Sequence, residues 1–214
     1  MNSKNIKRWI VLIIGLFFIG AGIALTKKGG LGVSPISSVP NILSIKFPFF
    51  TIGQWLTVWN CLMILTQVII LRKDFKPIQL LQFPISFLVG YFTDFVMWCL
   101  TLVATEAYIV RFLLLISGLV VLGFGIFLSV TADIVLNAGE ALVKVIADVL
   151  KKNFGNVKTI FDVSNVALSI VLSLIFFNFK IVGTREGTII AAICTGFIVK
   201  FFTKLYKSKL EKML

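Results

Sequence analysis

The chain has 214 residues, 58% of them hydrophobic and only 14% charged, with a formal net charge of +12. A soluble domain carries about 25% charged and roughly 45–50% apolar residues, so the composition excludes a large soluble domain and describes an integral membrane protein. The basic residues lie between apolar runs and not in one patch, which reads as the lysine-rich cytoplasmic face of a membrane protein and excludes a nucleic-acid surface.

The first element is the run 9–26, preceded by Lys4, Lys7 and Arg8. Basic residues before an apolar core resemble a signal peptide. The run is too long for a usual signal core and has an internal counterpart, so it is expected to stay in the mature fold. Its segment "GLFFIGAG" holds Gly15, Gly20 and Gly22, although glycine costs about 0.5–1 kcal/mol in a helix interior.

The segment 27–50 does not cross. Ser34 suits a helix cap with Pro35 at the first helical position, and Pro40 and Pro48 keep any helix there short or kinked. Spans follow at 51–71, 77–100 and 109–132, each near the roughly 20 residues that a bilayer core requires. The segment 137–155 is a second short helix. Asn137 and Glu140 have capping-box spacing, Leu142, Val145, Ile146 and Val149 form an apolar stripe, and Glu140, Lys144, Asp148 and Lys152 form a ladder of alternating charge. Gly155 is the expected terminator. The helix either lies flat on the inner surface or dips towards an aqueous cavity. The last spans are 157–177 and 187–206; Lys200 and Lys204 in the sixth can snorkel.

With the N-terminus inside, the outer segments hold Lys27, Lys28, Lys46, Arg111, Lys180 and Arg185, and the other fifteen of the 21 lysines and arginines fall inside. A bacterial inner-membrane protein with both termini cytoplasmic is predicted.

"GLFFIGAGIALT" at 15–26 matches "GLVVLGFGIFLS" at 118–129; "TVWN" at 57–60 then falls on "DVSN" at 162–165, and "FLVGYF" at 87–92 on "ICTGFI" at 193–198. Each half holds three spans, so the second enters from the opposite side. The expected fold is all-α, with six transmembrane helices as two inverted-topology three-helix repeats, each with an extra short helix or re-entrant segment. The repeats are 1–105 and 106–214 of one membrane domain. Secondary transporters use this plan, with the site between the repeats and short helices aiming their N-termini at the ligand. The repeated glycines predict a symmetric, close crossing of the first and fourth spans.

The "GLGVSP" turn, the following "TIGQW" and the later "VGTREG" resemble the YczE/YyaS/YitT-type small bacterial membrane proteins over about residues 15–205. That resemblance implies a six-helix inner-membrane protein and no settled activity. The family often carries an acidic residue after a Gly-Pro-type turn; here Gly139 and Glu140 stand without the proline.

The candidate substrate-binding residues are Ser34, Asn60, Asp94, Glu140, Asp162, Asn165, Arg185 and Glu186. Asp94 and Asp133 sit near span ends, where interfacial solvation competes with a ligand role. Asp162 has Lys158 at i−4, so a local ion pair competes there. Asn60 and Asn165 are repeat equivalents, suited either to an interhelical hydrogen bond or to a pair of ligands. Arg185, beside Glu186, could grip a carboxylate or phosphate or anchor the helix end. Cys61, Cys99 and Cys194 suit neither a disulfide framework nor zinc, and no histidine is present, so proton coupling would need a carboxylate.

The function expected is a secondary transporter or exporter of a polar small molecule, anions being one candidate class. The alternatives are a substrate-binding membrane subunit of an ATP-driven uptake system and a non-transporting accessory protein. The partners expected are the lipid bilayer and an unidentified small molecule, with a homo-oligomer left open. Neither an enzyme activity, a catalytic residue, a metal, a cofactor nor nucleic acid is expected.

Overall fold

The computed structural model describes residues 3–214. Eight α-helices follow one another: α1 Ser3–Gly29, α2 Pro35–Lys46, α3 Ile52–Leu71, α4 Gln82–Cys99, α5 Tyr108–Ala132, α6 Ala138–Leu150, α7 Phe154–Phe176 and α8 Glu186–Met213. Among the described residues there is no strand. Among the described residues six helices are long and apolar enough to cross a membrane; α2 and α6 are not among them. Six crossings return the chain to its starting face, below called the terminal face; the opposite one is the far face. The first and last spans prove longer than their apolar runs, because the helix continues through basic residues at both ends.

The centre of the bundle is the crossing of α1 and α5. A Cβ on Gly22 would stand 2.7 Å from the Gly118 carbonyl oxygen, and one on Gly125 2.8 Å from the Gly15 carbonyl oxygen. Between apolar spans, association comes from such close packing of small residues. The crossing predicted from the two glycine sets is therefore present. The third glycine of each set turns to another helix: Gly20 faces Phe92 and Thr93 of α4, and Gly123 faces Ile198 of α8. Leu12, Leu16, Ile19, Leu56, Ile85, Val89 and Leu122 fill the main core around α1.

Both short helices begin inside the bundle. Ser38, in the first turn of α2, donates to the Asn165 carbonyl halfway along α7 at 3.3 Å. At the other end Lys46 donates to the Phe176 carbonyl at the end of α7, 3.1 Å away. Thus α2 climbs alongside the far half of α7. Ala138, the first residue of α6, accepts from Gln67 of α3 at 3.3 Å, and α6 ends in exposed Val149 and Leu150. The two starts approach each other: a Cβ on Gly139 would lie 2.7 Å from the Ile36 Cδ1.

Four local expectations change. Ser34 is the N-cap residue of α2, with Pro35 following, but its hydroxyl pairs with the Ser37 hydroxyl at 2.8 Å rather than with a backbone amide. Asn137 caps α6 by accepting from the Ala138 amide at 3.0 Å, and Glu140 does not complete a capping box. The α6 helix ends at Leu150, with Lys151 in the left-handed region (φ 53°); Gly155 instead lies in the first turn of α7. The charge ladder is absent: Glu140 turns inward, and Lys144 and Asp148, both facing out, form no ion pair within 4 Å among the described residues.

Candidate functional site

A cavity of about 410 Å³ opens near the far face between α1, α2 and the strap that leads into α8. Its floor is the turn after α1. Gly30 and Gly32 take φ of +66° and +133°, values that side chains with a Cβ rarely adopt. A Cβ on Gly32 would also meet the Thr188 Oγ1 at 2.6 Å. The turn is strapped to α8 by the Gly187 amide donating to the Leu31 carbonyl at 2.8 Å. Arg111 of α5 holds it from the other side, donating to the carbonyls of Gly29 at 2.9 Å and Gly30 at 3.2 Å. A cation at those free carbonyls suits a helix C-terminus.

Lys27, in the last turn of α1, projects into this cavity. Its ammonium donates to the Asn41 Oδ1 at 2.6 Å and the Ser44 Oγ at 2.7 Å, both on α2. Among the described residues, none of the ion pairs within 4 Å involves it. Asn41 is oriented by its own amide, which donates to the Gly183 carbonyl at 2.8 Å. The strap is fixed in turn to α7: Ser173 accepts from the Val182 amide at 2.7 Å, and Ser169 pairs with Thr184 at 2.9 Å. Arg185 lines the rim and pairs loosely with Glu186 at 3.3 Å, both about half exposed. Val33, Ile45, Ile181 and Val182 supply apolar walls. A part-buried ammonium, a second cation at the rim and apolar walls suit a small anion with an apolar body.

A second polar centre lies between α3, α6 and α7. Lys158 and Asp162 of α7 form an ion pair at 2.5 Å, with side chains largely withdrawn from solvent. Glu140 of α6 has its Oε2 closed off and without a hydrogen-bond partner, and so has the Trp59 indole nitrogen of α3. Burial pushes the Glu140 carboxyl above the usual carboxylate range, against the pull of Lys158. A neighbouring cavity of about 260 Å³ is lined by Trp59, Leu142, Phe161, Ser164 and Asn165 among others.

The residues expected from sequence thus divide. Arg185 lines the far cavity, and Glu186 does not line it but pairs with Arg185; Ser34 follows the lining residue Val33. Asp162 pairs with Lys158, both act electrostatically on Glu140, and Asn165 lies one turn on along α7, its amide donating back to the Phe161 carbonyl at 2.8 Å. Asn60 is buried on α3 and lines neither cavity, so the two asparagines are not brought into one site. Asp94 lines neither cavity and sits where α4 meets the start of α3. It accepts from the Gly53 amide at 2.9 Å and the Thr51 hydroxyl at 2.5 Å, capping α3 from α4. Asp133 is an exposed helix end, 3.9 Å from Arg8. Sequence reasoning missed Lys27 and Asn41 as site residues. The available signal was a lysine in the last turn before a glycine-rich bend, ahead of a short helix carrying an asparagine.

Comparison with known proteins adds relatives but no activity. A model of the family DUF6198, described as a family of unknown function, matches residues 6–204. The chain is 28% identical over 203 residues to the uncharacterized membrane protein YczE of Bacillus subtilis (strain 168), covering 94% of this chain and 87% of that protein. It is 28% identical over 166 residues to the uncharacterized protein YyaS of the same organism, covering 76% and 78% respectively. No solved structure matches it.

Proposed function

The chain belongs to the DUF6198 family of unknown function, and from that premise we propose that this multi-pass membrane protein is a small secondary transporter or exporter of an anionic molecule. The observation that carries this reading is Lys27, an ammonium without a carboxylate partner in a cavity between the two halves of the chain. The wall from α1 and α2 belongs to the first half and the strap 181–185 to the second.

The halves form inverted repeats in this reading. The reciprocal glycine contacts of α1 and α5 support it, as do Gly20 against α4 and Gly123 against α8. So does the exchange of short helices, α2 against α7 and α6 against α3. Short helices that start in the bundle interior present positive N-terminal ends there, as in transporters built from inverted repeats. The terminal face is cytoplasmic, following the lysine and arginine bias, in a bacterial inner membrane.

The test is thermal stability of the purified protein against a panel of small carboxylates, phosphates and sulfonates. A ligand at about 100 times its Kd adds about 2.7 kcal/mol. At least one anion should raise the melting temperature of the wild type and not that of Lys27→Gln. Equal shifts in both proteins, or none with any anion, would sink the assignment. Uptake of the responding anion into proteoliposomes then separates a transporter from a binding subunit or an accessory protein.

A further inference from the structure

We infer that Glu140 is a proton-binding site, and that Glu140 and Asp162 share one proton across Lys158. Two carboxylates and one ammonium carry a net charge of −1 unless one carboxyl is protonated. An unpaired ion withdrawn from water is costly, whereas a neutral carboxyl is not. Lys158 is already engaged: its Nζ lies 2.5 Å from the Asp162 Oδ1. Glu140 is left with an Oε2 that neither water nor any protein donor reaches. The proton therefore sits on Glu140 in this arrangement.

Among the described residues, no other charged group acts on Glu140. On α7 the ionisable groups that act on Glu140 are Lys158 and Asp162. Towards α6, helix α3 presents Trp59, Met63, Ile64 and Gln67, and α2 presents Ile36; none of these ionises in the physiological range. The chain contains no histidine, and a carboxyl displaced upward by burial is available for proton exchange near neutrality.

The exchange is balanced as follows. In the arrangement described, Glu140 is neutral, Lys158 is positive and Asp162 is negative. If α6 shifts against α7 so that the ammonium turns to Glu140, Glu140 gives up its proton and Asp162 takes it. The total charge is unchanged, and the proton has passed from the start of α6 to α7. The link to transport rests on the transporter reading, in which the cluster is where a coupling proton would bind. The protonation itself rests only on the cluster and is measured without any substrate.

The experiment is infrared spectroscopy of the purified protein in lipid, titrated with pH, with glutamate carboxyls carbon-13 labelled. The wild type should show a protonated glutamate carboxyl band at neutral pH. Glu140→Gln should lose it. Asp162→Asn frees Lys158 to pair with Glu140, so the band should vanish at neutral pH and return only about one pH unit or more lower. A wild type without the band at neutral pH overturns the inference. So does a band unchanged in Glu140→Gln, or, should that variant not fold, one unchanged in Asp162→Asn. Failure of Lys27→Gln to alter anion binding would sink the far-face site and leave these bands as they are.

Discussion

Two helix pairs occupy equivalent positions in the repeat read from the sequence, and they pack oppositely. α3 and α4 are sealed along their length; α7 and α8 make almost no direct contact. In the sealed pair Gly53 faces Gly90, and Thr57 donates to the carbonyls of Gly53 at 2.9 Å and Ser86 at 3.3 Å. Asp94 closes one end and a reciprocal amide pair, Gln67 with Gln82 at 2.9 and 3.0 Å, closes the other. In the open pair the counterpart of Gly90 is Gly196, which has nothing within 4 Å. The counterparts of Gly53 and Asp94 are Lys158 and Lys200. A glycine on one helix is thus no instruction to pack. A glycine on each is; in the open pair lysines stand where the sealed pair has a glycine and a carboxylate. The open half is also the one that carries the ion pair of α7 and the strap of the far cavity.

The largest effect should come from breaking the seal. Gly53→Leu puts a side chain where the α4 backbone runs, beside the Gly90 carbonyl and the Asp94 carboxylate. Forced overpacking of a tight contact costs about 1–3 kcal/mol, and a leucine driven into backbone belongs at the upper end of that range. Unfolding of the purified protein in graded denaturing detergent should register that loss. A Gly53→Leu protein as stable as the wild type would mean that α3 and α4 do not approach this closely.

The same contrast explains what could be read in advance. Six apolar runs fix six spans, because length and hydropathy are properties of single segments. The α1–α5 crossing was legible because both partners carry the same glycine set. The starts of α2 and α6 were legible at Pro35 and Asn137, where proline and a cap residue act locally. What escaped depends on pairs distant in the chain. Asp94 looked like a ligand because its principal partner is the backbone amide of Gly53, 41 positions away, which no side-chain pattern reveals. Lys27 looked like one more interfacial charge because its partners Asn41 and Ser44 belong to a helix that folds back beside it. The inward turn of Glu140 broke its expected ladder because tertiary contact, not i,i+4 spacing, determines which face of α6 is buried.

A smaller effect should come from Asp94. In Asp94→Ala the Gly53 amide loses its acceptor and Thr51 its partner, although the Thr51–Gln54 capping box remains. Loss of a helix cap costs about 1–2 kcal/mol. If Asp94 were a substrate ligand instead, Asp94→Ala would leave stability unchanged and abolish the anion-dependent thermal shift. The expected outcome is the reverse: lower stability with the shift retained.

The smallest effect, and the one of opposite sign, belongs to Gly196. A Cβ at Gly90 would stand 2.5 Å from the Thr57 Oγ1 and from the Gly53 carbonyl oxygen, so Gly90→Ala should destabilise. At Gly196 a Cβ meets open space, and replacing a helical glycine by alanine at a compatible position gains about 0.5–1 kcal/mol, largely by restricting the unfolded chain. The same substitution at two equivalent positions should therefore move the unfolding midpoint in opposite directions. If Gly196→Ala instead destabilises as Gly90→Ala does, then in the membrane α8 closes onto α7, or a second chain fills the gap. The difference between the halves would then mark one arrangement of the protein among several.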